Sequence, residues 1–149
     1  MTEQQKKVID FHRAIDSSYI GEYPRFHDKE NCARLVMEEA VEFVAACGLD
    51  PEELVKEFKQ KVTIEPNFVD AIDALVDIEY VVNGAYVAFG VDSEPIFNEV
   101  HRSNMQKIGP NGEVLRGPTG KVLKPAGWTP PNIWRELAIQ EDLAGNRKL

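Results

Sequence analysis

From Val8 to Ile108 apolar side chains return every three or four positions, and directly beyond that point the pattern gives way to Gly109, Pro110, Gly112, Gly117, Pro118, Gly120, Pro125, Gly127, Pro130 and Pro131. The first stretch suits helices, whose faces repeat about every 3.6 residues. The second cannot be regular helix, because proline lacks an amide hydrogen and glycine costs backbone entropy. The chain therefore reads as all-α: a bundle of four to six helices with a Gly/Pro-rich loop or small β-hairpin near the C-terminus.

Local signals divide the helical stretch. A first helix is expected from about Thr2 to Asp16, with Val8, Phe11 and Ile15 on one face, followed by a turn-rich stretch through Gly21 and Pro24. The second begins near Asp28 and stops at Gly48, a good C-terminal signal. Asp50 before Pro51 forms a cap-plus-proline helix start, which opens a short connector to about Lys61. The longest helix runs from near Pro66 to Phe89 and ends at Gly90; the next spans Ser93 to about Ile108, and a last one Pro131 to Leu143. Between them, Val114-Leu115 and Val122-Leu123 are spaced to pair as two short strands.

Two of these helices carry one chemical device. Glu38, Glu39 and Glu42 stand on the second, and Asp70, Asp73 and Asp77 fall at i, i+3 and i+7 on one face of the fourth. Like charges in one stripe repel by a few tenths of a kcal/mol per pair, roughly, so a cation is called for. Hard carboxylate oxygens suit Mg²⁺ or Mn²⁺ better than Zn²⁺, whose preferred His and Cys are missing from the set. The plain alternative is a solvated acidic surface. Against it, the acids interleave with Leu35, Val36, Ile72, Leu75, Val76 and Ile78.

A compact set of acids can hold divalent ions that clamp phosphate oxygens and acidify a bound water, which is the apparatus of phosphate-anhydride hydrolysis. With Glu39 and Glu42 as ligands, Glu38 is left as general base. Phosphates not held by metal need cationic donors. Arg102, Asn104 and Lys107 at the end of the fifth helix, then Lys121 and Lys124 in the Gly/Pro segment, supply them. Each lysine also has a plain reading, as a helix-dipole partner or a solubilising charge. Tyr80 and Trp128 offer surfaces for a base, although aromatics in a small domain usually serve the core.

At 149 residues the chain fits a single domain, residues 1–149. Its net charge of -8 argues against a general nucleic-acid binder, which needs a basic face. Cys32 and Cys47 show no metal-type spacing and read as reduced thiols. No apolar run approaches the roughly 20 residues of a membrane span, and the polar start lacks a signal peptide's apolar stretch. A cytoplasmic protein with no membrane or nucleic-acid partner is expected.

With those residues in place, the chain resembles the all-α nucleoside triphosphate pyrophosphohydrolases, the superfamily of MazG, phosphoribosyl-ATP pyrophosphohydrolase and the dimeric dUTPases. Glu38-Glu39-Ala40-Val41-Glu42 is similar to that family's EExxE helix, and Asp77-Ile78-Glu79-Tyr80 to the helix that carries ExxD. Ala74 stands where ExxD would put Glu, which makes Asp73, or else Asp70, the substitute. Glu99 to Lys107 and Gly120 to Trp128 resemble segments of MazG-like enzymes of bacteria and phages.

The resemblance implies a MazG-like bundle that cleaves a nucleoside triphosphate between its α- and β-phosphates, with metal-activated water attacking the α-phosphorus to give a monophosphate and pyrophosphate. It implies Glu39, Glu42, Asp73 and Asp77 as ligands of Mg²⁺ or Mn²⁺, and a homodimer or homotetramer. Asn104, Lys107, Lys121, Lys124 and Tyr80 are the expected substrate contacts. A purine deoxynucleotide, dGTP or GTP, is the first expectation and dUTP the second. Two rivals are a di-iron bundle, which needs Glu-x-x-His pairs that none of the three histidines supplies, and a silent nucleotide or metal sensor.

Overall fold

The computed structural model describes residues 2–20, 28–57, 66–118 and 120–146. The expected turn through Gly21 and Pro24, and the third helix beyond Glu57, lie outside the described residues. Six α-helices follow in order: α1 (Glu3–Ile15), α2 (Lys29–Ala46), α3 (Pro51–Glu57), α4 (Phe68–Phe89), α5 (Ser93–Met105) and α6 (Ile133–Asn146). A single 3₁₀ turn, Ser17–Tyr19, follows α1. The all-α reading holds.

The helix ends are set by the residues that announce them. Thr2 caps α1 in a reciprocal box: its Oγ1 accepts the Gln5 amide at 3.1 Å, and Gln5 Oε1 accepts the Thr2 amide at 2.8 Å. Asp50 and Asp92 cap α3 and α5 by accepting the amides of Glu52 and Glu94. Gly90 ends α4 at φ 69°, a left-handed value that a side chain would oppose. Asp28, expected to open α2, sits there in the left-handed region without a side-chain cap bond.

The chain divides into two compact units, one of residues 21–74 and one of residues 1–20 with 75–149. In the first, α2 packs on α3. In the second, both α1 and α6 pack on α5. Gln140 of α6 closes a pair of bonds on Asp92 at the head of α5, accepting its amide at 2.8 Å and donating to its carbonyl at 3.0 Å.

The Gly/Pro segment is held by its own backbone. Ile108 bridges Val114 and Arg116 bridges Val122, both antiparallel, and the Leu123 amide donates to Leu115 at 2.8 Å. Of the expected pairing of 114–115 with 122–123, only the Leu123–Leu115 bond forms; Val114 bridges Ile108 and Val122 bridges Arg116 instead, and no regular strand is present among the described residues. Prolines and glycines at this density leave too few consecutive donors for a ladder. Arg116 ties the loop to α1 by donating to the Ile15 carbonyl at 2.7 Å, where a cation also favours the helix C-terminus.

Among the described residues the buried side chains are polar: Glu99, Ser103 and Glu136; no large apolar side chain is buried. Apolar groups of α4 stand in the open instead, with Val69 73% and Val87 81% exposed. No described helix is long and apolar enough to cross a membrane.

Candidate metal and nucleotide site

Glu38, Glu39 and Glu42 lie on α2 and are exposed, and Glu39 and Glu42, one helical turn apart, share a face. Asp73 and Asp77 lie on α4, also exposed, with Tyr80 one turn further on at 79% exposure. Asp70 falls in the first turn of α4, where its amide joins that of Val69 on the Asn67 side chain. Among the described residues of one chain, no three His, Cys, Asp or Glu side chains gather closely enough to hold an ion. The donor set itself is all carboxylate oxygen, the chemistry of a hard divalent cation.

The basic residues are brought together. Lys107 Nζ donates to Asn104 Oδ1 at 2.8 Å, at the end of α5. Burial, then the charges of Lys124 and Lys121, push the Lys107 ammonium below its ordinary range. Lys124 Nζ lies 4.1 Å from the centre of the Trp128 ring, a cation–π contact. Trp128 is fixed in turn, its Nε1 donating to the Ser103 carbonyl at 2.9 Å. Three lysines in a chain of net charge -8 thus converge on one loop. Such a cluster resists its own charge and is relieved by an anion.

Arg102, which the sequence offers as a fourth phosphate donor, is engaged elsewhere. Its guanidinium forks onto both oxygens of Glu99 and reaches Thr129 and the Pro130 carbonyl. The buried Glu99 also accepts the Asn132 amide at 2.8 Å and faces Arg135 at 3.7 Å. Sequence reasoning missed this tie between α5 and the entrance to α6. Only the i, i+3 spacing of Glu99 and Arg102 hints at it; Asn132 and Arg135 lie about thirty residues on and carry no local signal.

Comparison with known proteins supplies the family. The family model described as phosphoribosyl-ATP pyrophosphohydrolase matches residues 8–104. The chain belongs to the phosphoribosyl-ATP pyrophosphohydrolase family. It is accordingly a pyrophosphohydrolase, in a family whose chemistry generally depends on divalent metal. The span matched by the phosphoribosyl-ATP pyrophosphohydrolase model takes in Glu38, Glu39, Glu42, Asp73, Asp77, Tyr80 and Asn104, and stops before Lys107, Lys121 and Lys124. In fold, the chain is similar to a crystal structure of a candidate NTP pyrophosphohydrolase from Exiguobacterium sp. 255-15, at a TM-score of 0.70 and 22% identity over 99% of each chain. No curated protein matches.

Proposed function

We propose that the protein hydrolyses a nucleoside triphosphate, dGTP or GTP first, to the monophosphate and pyrophosphate. The observation that carries this reading is that the matched family segment takes in both helices that bear the acidic residues. Glu39, Glu42, Asp73 and Asp77 would hold Mg²⁺ or Mn²⁺, with Asp73 taking the place of the glutamate that Ala74 replaces. A divalent ion there supplies charge neutralisation at the phosphate oxygens and a lowered pKa for water.

The chain's own residues do the rest. Glu38 accepts a proton from the attacking water as its oxygen bonds to the α-phosphorus. The bond from the α-phosphorus to the bridging oxygen breaks, and pyrophosphate leaves with that oxygen. Lys107, Lys121 and Lys124 meet the phosphates, Asn104 orients Lys107 through its 2.8 Å bond, and Tyr80 contacts the nucleoside. A homodimer or homotetramer completes the assembly, supported by the apolar groups of α2 and α4 left open in one chain, such as Met37 at 57% and Val76 at 59% exposed.

The test is direct. Each nucleoside and deoxynucleoside triphosphate is incubated with Mg²⁺ or Mn²⁺ and the products are separated by chromatography. Monophosphate with pyrophosphate is the expected pair, fastest from dGTP. Diphosphate with orthophosphate would refute the cleavage position, and no product from any nucleotide would refute the activity.

A further inference from the structure

Beyond the segment matched to the family, the end of α5 and the Gly/Pro loop line a half-open pocket of about 570 Å³. That is the size range of small-ligand sites, roughly 300–1,000 Å³. Its walls are mainly apolar, from Ile108, Pro110, Leu115, Pro125 and Trp128, while Lys107 and Glu113 bring opposite charges to it. Lys124 covers part of the Trp128 ring, and Lys121 and Lys124 act on Lys107. A ligand matched to this lining has a flat apolar part, an anionic group for the lysines and N–H donors for the carboxylate.

The acidic end is built with care. The Asn111 amide donates to Glu113 Oε2 at 3.0 Å. The Glu113 carboxylate also lies so close over Gly109 that a Cβ there would fall 2.1 Å from its Oε1. Glycine at 109 is thus what lets this carboxylate lie against the backbone there, and both residues line the pocket. Once ionised it only accepts hydrogen bonds, and its two oxygens retain several free lone pairs. Among the bases, guanine presents two adjacent donors, N1–H and N2–H₂, to such an acceptor, whereas adenine, cytosine and uracil each present one donor group on that edge.

We propose that this pocket takes the base of the substrate nucleotide against Trp128, that Glu113 selects guanine through its paired N–H donors, and that Lys107, Lys121 and Lys124 receive the phosphates. The proposal rests on the nucleotide activity above and assigns its base specificity to a segment outside the matched family region. It also explains why an acidic carboxylate stands beside a basic cluster.

The test uses the full chain carrying Trp134→Phe, so that the fluorescence reports Trp128, with EDTA present to prevent turnover. The probes are dGMP, dAMP, dCMP and dUMP. Quenching by dGMP is expected with a dissociation constant at least about tenfold lower than for the others, as a two-bond base contact gives. Glu113→Gln removes that preference, and Ala126→Leu, which fills the pocket without adding a second fluorophore, abolishes quenching by all four while circular dichroism stays unchanged. Equal constants for the four probes, no quenching at millimolar concentration, or a guanine preference that survives Glu113→Gln would each overturn the proposal. Pyrophosphate release is then followed after Mg²⁺ is restored. Hydrolysis without the Trp128 response leaves the activity standing and removes the pocket; binding of dGMP with no release from any triphosphate does the reverse.

Discussion

Arg102 donates from Nε and Nη2 to the two carboxylate oxygens of Glu99, each at 2.8 Å. This fork, then the Asn132 amide, holds the Glu99 carboxyl at about 2, against an ordinary 4.5. The lower value belongs to the folded state, so the folded protein binds fewer protons between the two. The stabilisation is complete above pH 4.5 and is lost as pH falls towards 2. Thermal denaturation across that window is expected to show the wild type losing its advantage over Glu99→Gln. An advantage that stays constant down to pH 2 would refute the role given to this carboxylate.

A second titration acts at α1 and α5. Burial lowers the pKa of His12 below 6.5, and burial, with the charge of Lys7 adding and that of Asp10 opposing, lowers that of His101. Here the folded state prefers the neutral ring, so stability falls as pH drops through 6.5, where the unfolded chain takes up the proton first. Urea midpoints measured at pH 8 and pH 5.5 should differ, and His101→Gln should narrow the difference.

The acidic residues separate by kinetics. Glu38→Gln is expected to lower kcat by about 10²–10⁴-fold, the range for a lost general base, with metal affinity retained. Glu39→Gln and Asp77→Asn should instead raise the Mn²⁺ concentration needed for half-maximal turnover. Between Asp73→Ala and Asp70→Ala, only the first should do so. If the two behave alike, Asp73 does not replace the glutamate missing at Ala74.

How far these assignments were legible depends on how local their causes are. Thr2 with Gln5, Asp50 before Pro51, Asp92, Gly48 and Gly90 set helix ends through residues a few positions apart, and their signals read straight from the chain. The acidic stripes on α2 and α4 follow from helical periodicity alone. The Glu99–Asn132 bond and the Trp128–Ser103 bond join residues 33 and 25 positions apart, and no periodic pattern encodes such pairs. Glu113 carries no such signal either: in sequence it is a single acid in a loop, and only its contact with Gly109 distinguishes it from a solvated charge.

Association is the remaining measurable property. Light scattering after gel filtration should give at least twice the 16.8 kDa of one chain. Val76→Lys, placed on the open side of α4, should lower that mass and turnover together. A fully active monomer would remove the second copy from the mechanism.

The paired bonds between Gln140 and Asp92 give the last helix a duty that outlasts any part it plays in chemistry. Truncation before Asn132 would remove the main-chain donor of the Glu99 carboxylate and unfasten the opening turn of α5 in the same stroke. The carboxyl-terminal arm therefore cannot be treated as a dispensable appendage when the protein is shortened for expression.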